Sequence, residues 1–311
     1  MTSSAFIFPG QGSQSIAMLA ELAGQFPQVR ETFDAASGVL GYDLWSVCQQ
    51  GPEDRLNQTE VTQPAMLAAG VATWRAWKAQ GGFDPDFMAG HSLGEYSALV
   101  AAGNLEFELA VALVAERGRL MQAATPQGTG AMAAVLGLDD EILSGVCEQA
   151  ADGEVVSCAN FNSPGQVVIA GDRAAVERAC ALAVEAGARR AIPLAVSVPS
   201  HCALMRPAAG LLAVELQAVE IRKGSIPVLH NVDVRSHTGA AEIRQALVQQ
   251  LWQPVRWSET ILALVAQGVT HFAECGPGKV LTGLNRRISR DVTSIALLTA
   301  AELEQVRDNW S

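Results

Sequence analysis

Apolar residues fall along the chain in short blocks separated by longer stretches of helical periodicity. Residues 5–9 form an apolar run ending in Pro9-Gly10, which predicts a buried strand followed by a loop. Helical patterns follow, punctuated by Pro27, Gly38, Gly51 and Pro52. The clearest predicted helix covers 64–80, with Pro64 in the first turn, where its missing N–H breaks no bond, and Gly81-Gly82 as the stop. Residues 87–89 predict a second buried strand, 95–102 a helix, and 106–124 another helix halted before Pro126. Strands alternating with helices in this way predict a parallel sheet covered by helices.

The rhythm changes between 126 and 197. Residues 131–138 read as strand and 139–150 as helix with Asp139 at the N-cap. Residues 155–161 read as strand, Asn162-Ser163-Pro164-Gly165 as a turn, and 166–170 as strand. A helix over 172–186 ends at Gly187, and a last strand over 191–198 is broken by Pro193. The order β-α-β-β-α-β is that of a ferredoxin-like unit, here predicted as a subdomain inserted into the larger body. The division is therefore 1–125 plus 198–311 for the main body and 126–197 for the insert. After Pro199, helices are predicted at 202–219, 242–251 and 258–267, with strands at 269–274 and 293–298.

Composition narrows the function classes. In 311 residues, 49% are hydrophobic and 17% charged, enough for a sizeable core. Lys+Arg 21 against Asp+Glu 32 gives a net charge of −11, the wrong balance for a general binder of nucleic acid or anionic membrane. No run approaches the 18 or so apolar residues of a membrane span, and the N-terminus lacks the basic region of a signal peptide. The six cysteines form no C-x-x-C pair, and no zinc-ligand spacing occurs. They read as small buried hydrophobes in a reducing compartment, so a cytoplasmic location is expected.

Gly90-His91-Ser92-Leu93-Gly94 matches G-x-S-x-G, and it lies between a predicted strand and a predicted helix. That context exposes a serine hydroxyl above the end of a sheet; the alternative is a plain strand-to-helix turn with a surface serine. Ser92 needs a base. His91 adjoins it and should leave the turn in another direction, in a supporting polar role. His230 and His271 suit core or edge positions, and His237 lies in a polar loop. His201, after Pro199-Ser200 at a strand-to-helix junction, is either the base or a capping or core histidine. No Asp or Glu clearly completes a triad.

The loop Pro9-Gly10-Gln11-Gly12-Ser13-Gln14 fails both the dinucleotide fingerprint and the Walker pattern. It reads either as a source of backbone N–H groups for an oxyanion or as a turn required only by packing. Arg117 and Arg119 lie on the helix 106–124, where an exposed or salt-bridged arginine is the default. Arg189-Arg190 and the set Lys279, Arg286, Arg287 and Arg290 are local basic spots in an acidic chain.

Five segments in order carry a resemblance. They are Phe8-Pro9-Gly10-Gln11-Gly12-Ser13-Gln14, Thr62-Gln63-Pro64-Ala65, Gly90-His91-Ser92-Leu93-Gly94-Glu95-Tyr96, Val198-Pro199-Ser200-His201 and Gly276-Pro277-Gly278-Lys279. Together the chain resembles the bacterial malonyl-CoA:acyl carrier protein transacylases over nearly its whole length. The resemblance implies an α/β fold, a hydrolase-like core with a parallel sheet plus an inserted ferredoxin-like βαββαβ subdomain. It implies Ser92 as nucleophile, His201 as base, and Gln250 as the residue whose main-chain carbonyl orients the histidine. Gln11 and Leu93 then match the backbone donors of the oxyanion hole, and Arg117 matches the partner of the malonyl carboxylate. Gln63 and Asn162 match polar residues lining or near the pocket.

The activity so implied is ping-pong transfer of malonyl from coenzyme A to the phosphopantetheine thiol of acyl carrier protein, supplying fatty acid synthesis. The partners are malonyl-CoA and acyl carrier protein. No metal or redox cofactor has a step in that chemistry, since coenzyme A is part of a substrate and phosphopantetheine belongs to the partner. Val198-Pro199-Ser200-His201 resembles the discrete bacterial enzymes, with malonyl as default and methylmalonyl not excluded. Rival readings are a serine thioesterase, in which water attacks the acyl-serine, and a noncatalytic carrier-binding module with a relic site.

Overall fold

The computed structural model describes residues 3–126, 128–195 and 198–310. Strand β1 (Ser4–Phe8) is buried along its whole length, and its side chains alternate between two cores. Phe6 packs against Trp74, Trp77 and Phe83 with ring centroids 5.2–6.2 Å apart, while Ala5 and Ile7 face the opposite core. A strand buried on both faces belongs in the middle of a parallel sheet. It pairs in parallel with β2 (Phe87–Gly90) on one side and with β8 (His271–Glu274) on the other. The two-residue β7 (Val228–Leu229) and β9 (Thr293–Ala296) complete the order β7-β2-β1-β8-β9.

The second sheet is antiparallel, with order β4-β5-β3-β6. Its strands are β3 (Gly130–Leu136), β4 (Val156–Ser163), β5 (Gln166–Asp172) and β6 (Arg190–Pro193). With the Asp140–Ala151 and Arg173–Glu185 helices this is the ferredoxin-like βαββαβ order. Those helices and one face of the sheet share an apolar core of their own, built around Val135, Leu143, Val167 and Ile169. The other face turns Met132, Ala159 and Val168 toward Cys202 of the main body. Val255 ties the two together, donating to Ala159 O and accepting from Phe161 N–H, each at 2.9 Å. The cleft between the sheets lies above the C-terminal ends of β1 and β2, where open parallel sheets bind ligands.

Several elements differ from the sequence expectation. The helix predicted from Pro64 begins at Thr59, so Pro64 sits inside it. One backbone bond is lost there, but the extra turn is buried and packs against the Phe107–Ala124 helix, where Gly118 meets Glu60 so closely that a Cβ would lie 2.8 Å from its Cα. Asn162 and Ser163 belong to β4, not to the turn; Ser163 pairs with Gln166, leaving Pro164-Gly165 as the two-residue loop with Gly165 at φ 68°. The strand predicted to 198 stops at Pro193, and its positions 196 and 197 lie outside the described residues. No helix starts at Cys202: a 3-10 turn spans Ala203–Met205 and the helix spans Arg206–Ala218, with Pro207 in its first turn. The Val280–Ile288 and Ala300–Trp310 helices had no counterpart in the sequence reading.

Candidate active site

The Ser92 turn is shaped by glycines that cannot carry a side chain. Gly90 ends β2, and a Cβ there would lie 1.9 Å from the carbonyl carbon of Gly94. At Gly94 a Cβ would lie 2.0 Å from Phe8 O, at the end of the neighbouring strand. Between them Ser92 is held at φ 51°, a left-handed conformation that costs a non-glycine residue about 1–2 kcal/mol. Asn231 clamps the turn, accepting from Ser92 N–H at 2.7 Å and donating to Gly90 O at 2.7 Å. The hydroxyl thus stands at the start of the Gly94–Ala101 helix, aimed into the cleft.

His201 also has a positive φ, 62°, and Cys202 after it is extended (φ −134°, ψ 173°), so no helix begins at this point. Its N–H donates to Leu251 O at 2.9 Å, and its ring is almost fully buried. Nδ1 lies 2.6 Å from Gln250 O and Nε2 lies 2.7 Å from Ser92 Oγ. A backbone carbonyl can only accept, so Nδ1 carries the proton and Nε2 is left as an acceptor for the serine hydroxyl. Burial, and next the positive charge of Arg117, push the His201 pKa down to about 3. The ring is neutral at ordinary pH and ready to take a proton.

Arg117, on the Phe107–Ala124 helix, is buried rather than exposed, so the default reading of that position fails. Its Nη1 donates to Gln63 Oε1 at 2.8 Å and its Nη2 to Gln250 Oε1 at 3.0 Å, while Nε has no partner among the described residues. The guanidinium carbon lies 5.5 Å from the centre of the Tyr96 ring. Burial lowers its pKa from the ordinary arginine value. A buried guanidinium with unused donors on a cavity wall is a receptor for a carboxylate. Arg119, two residues on, instead forms an exposed pair with Glu116.

Ser92, His201, Arg117, Gln63, Gln11, Leu93 and Asn162 all line one cavity of about 300 Å³. Met132 and Val168 line it from the antiparallel sheet, Leu194 from just beyond the sheet's last strand, and Val280, Leu281 and Leu284 from the main body. Among the described residues, the backbone N–H groups of Gln11 and Leu93 make no hydrogen bond. The Gln11 loop is pressed against the serine turn, since a Cβ on Gly10 would lie 2.5 Å from His91 O. Asn162 Oδ1 lies 2.8 Å from His91 Nε2, so His91 does leave the turn in another direction. Among the described residues no cluster of His, Cys, Asp or Glu could hold a metal ion, and no helix is long and apolar enough to cross a membrane.

His230, expected at a core or edge position, is fully buried just after β7. Two of its neighbours carry no expectation of their own: Asn231, the polar residue that follows it, and Glu95, fully buried in the first turn behind Ser92. The Gln250 side chain, as distinct from its carbonyl, touches Arg117, Glu95 and Ser92 O.

A serine–histidine pair in such a cleft defines a class of acyl-transferring enzymes. A family model described as an acyl transferase domain matches residues 5–304, and the chain belongs to that family. The malonyl CoA-acyl carrier protein transacylase of Salmonella typhimurium is 59% identical over 303 residues, 97% of this chain and 98% of its own length. The corresponding transacylase structure from Coxiella burnetii is 51% identical with a TM-score of 0.99, covering 99% of this chain and 98% of that one. A malonyl-transacylase solved in complex with its type II PKS acyl-carrier protein is 56% identical with a TM-score of 0.98, covering 99% of this chain and all of that one. Within the family, this chain belongs with the malonyl CoA-acyl carrier protein transacylases.

Proposed function

We propose that this chain transfers malonyl groups from malonyl-CoA to the phosphopantetheine thiol of an acyl carrier protein, through a malonyl-serine at Ser92. The observation that carries the reading is the line Ser92 Oγ–His201–Gln250 O, facing the Arg117 fork across one cavity. His201 Nε2 takes the hydroxyl proton as Ser92 Oγ bonds to the thioester carbon. The N–H groups of Gln11 and Leu93 receive the developing oxyanion. The C–S bond then breaks, and His201 returns the proton to the leaving thiolate. The pantetheine thiol enters, gives its proton to His201 and displaces Ser92 by the same steps in reverse.

Arg117 selects the acyl group by pairing with the terminal carboxylate, helped by Gln63, and Asn162 steadies His91 at the rim. Every step is proton transfer or acyl exchange between thioester and ester, so neither a metal nor a redox cofactor is called on. An acidic carrier needs local positive charge, and Arg189, Arg190 and Arg287 share a surface groove with Gln166, which also lines the cavity. Arg287 is held there by Gln166 Oε1. Residues 126–197 act as a lid-like subdomain over a main body of 1–125 and 198–311, a division supported by their separate apolar core. The six free thiols and the coenzyme A substrate suit a cytoplasmic setting. Nucleic acid and membrane have no part in this chemistry.

Intact-mass measurement tests the reading. Malonyl-CoA should add one malonyl group to Ser92, and holo carrier protein should discharge it. Release of free malonate at the pace of coenzyme A release, with no carrier present, would make the enzyme a thioesterase instead.

A further inference from the structure

Beneath Ser92 lies a carboxylate that the transfer steps do not use. Glu95 is fully buried, and both its oxygens are occupied. Oε1 lies 2.7 Å from His230 Nδ1, and Oε2 accepts from Asn231 N–H and Gln250 Nε2, each at 2.9 Å. His230 is also fully buried, and its Nε2 has no partner among the described residues. A proton on that nitrogen would be an unsatisfied buried donor, so the imidazole is neutral with its proton on Nδ1, and Glu95 is the anion.

The amide of Gln250 stands between this anion and Arg117. Arginine only donates, so Oε1 faces Arg117 at 3.0 Å; a carboxylate only accepts, so Nε2 faces Glu95. Among the described residues, the hydrogen bonds of Arg117 go only to amide oxygens, those of Gln63 and Gln250. A buried guanidinium without a counter-charge is costly, and the nearest one here is reached through a single bridging amide. We infer that Glu95 is the buried counter-charge of Arg117, relayed through the Gln250 side chain, and that it sets how tightly the cavity holds a carboxylate. Glu95 touches no substrate and is a positioning residue.

The arrangement has a kinetic logic that rests on the proposed malonyl-transfer reading. An arginine with no counter-charge would bind malonyl tightly before, during and after transfer; uniform binding of that kind lowers KM without speeding the chemical step and slows release of the malonyl thioester product. With its field partly cancelled by Glu95, Arg117 orients the acyl group yet releases it to the next thiol. The same glutamine side chain also holds Ser92 O at 2.9 Å, and its own carbonyl takes the His201 proton donor. Charge balance and base alignment therefore meet in one residue.

Glu95→Gln tests the inference while keeping the shape. The new amide oxygen can still accept from Asn231 and Gln250, while its NH2 can donate to His230 Nδ1 only if the ring proton moves to the unpartnered Nε2, a cost common to the single and double variants that cancels in their comparison. Free malonate should then inhibit about tenfold more tightly, the scale of one weakly screened charge. KM for malonyl-CoA and kcat should fall together. A Glu95 that serves only packing would leave malonate affinity unchanged or weaken it, and either result overturns the inference. Thermal midpoints provide a second readout that needs no substrate: Glu95→Gln and Arg117→Met should each lower the midpoint, and the double variant should recover much of the loss. Additive losses overturn the pairing. If the double variant recovers but the wild-type protein binds no malonate, the pairing stands and the malonyl reading falls.

Discussion

The two walls of the cavity are built in opposite ways. On the nucleophile wall, Ser92 and His201 sit on turns with positive φ, fixed by backbone carbonyls and by glycines that admit no Cβ. On the carboxylate wall, Gln63, Arg117 and Gln250 project from three helices far apart in sequence, and they hold one another by side-chain bonds. Backbone constraints of the first kind leave local marks in a sequence. Side-chain convergence of the second kind leaves none, because a buried arginine on a helix is written with the same letters as an exposed one.

The nucleophile wall should break most completely. Ser92→Ala should lower malonyl transfer by about 10⁴-fold or more, the loss expected when an attacking group is deleted. Steady-state transfer to carrier protein checks the rate, and intact mass checks that no adduct remains. An adduct surviving on another residue would move the nucleophile elsewhere. The Asn231 clamp gives the same wall a stability component, since its side chain bonds the N–H of the strained residue and the carbonyl of Gly90 before it.

His201→Ala should cost somewhat less, about 10³-fold, because the oxyanion donors and the binding energy survive. The wild-type pH profile carries a sharper signature. A base with its pKa pushed down to about 3 stays neutral through the mildly acidic range, so the acid limb of kcat/KM should lie well below the ordinary histidine value near 6.5. An uncharged serine-directed reagent, with no carboxylate of its own to titrate, reads this limb cleanly. In Arg117→Ala the limb should move to higher pH, since one of the two main causes of the shift is gone. The folded state resists protonation that the unfolded chain accepts below about 6.5, so stability falls as pH drops through that window toward about 3. A limb at 6.5 in both proteins would mean that His201 is solvated during catalysis.

Legibility followed the same division. The strand–turn–helix around Ser92 was visible because Gly90 and Gly94 are demanded by close approach, and the βαββαβ order was visible because turn residues and N-caps such as Asp139 separate its elements, although Asn162 and Ser163 proved to be strand. The early start of the Thr59–Ala79 helix was hidden, because proline usually opens a helix and tertiary packing overrode that preference here. His201 could be shortlisted from its junction, yet its orienting group is a carbonyl, which every residue possesses and no side-chain pattern reveals. Arg117 came from family resemblance alone. Glu95 was in plain view beside the motif, but its meaning depends on Gln250, more than 150 positions away.

Arg117→Ala probes the carboxylate wall. Removing one member of a buried charge pair costs on the order of 2–5 kcal/mol, so malonyl transfer should fall by roughly 30-fold to several thousand-fold. Acetyl transfer should fall much less, or rise, because acetyl leaves no charge unpaired. The ratio of kcat/KM for malonyl-CoA to that for acetyl-CoA should therefore collapse. An unchanged ratio would make Arg117 a structural residue and place selectivity in the apolar lining, with Met121 and Leu194 the first side chains to test.

The smallest effect belongs outside both walls. Arg189, Arg190 and Arg287 edge a groove that meets the cavity at Gln166, whereas Lys279 is drawn toward Glu302 at 3.5 Å. Exposed charges contribute to encounter more than to bound-state energy, and screening acts over about 10 Å at 0.1 M salt. Reversing Arg190 and Arg287 to Glu should raise KM for carrier protein several-fold, with a shallower salt dependence than the wild-type protein shows. Formation of malonyl-Ser92 measured without carrier should change less, because the proposed grip on the acyl group is at Arg117, away from this groove. Equal losses in both half-reactions would show that the groove holds the phosphates of coenzyme A as well as the acidic carrier. A loss confined to malonyl-CoA would assign the groove to coenzyme A and leave the carrier to dock on another face of the cleft.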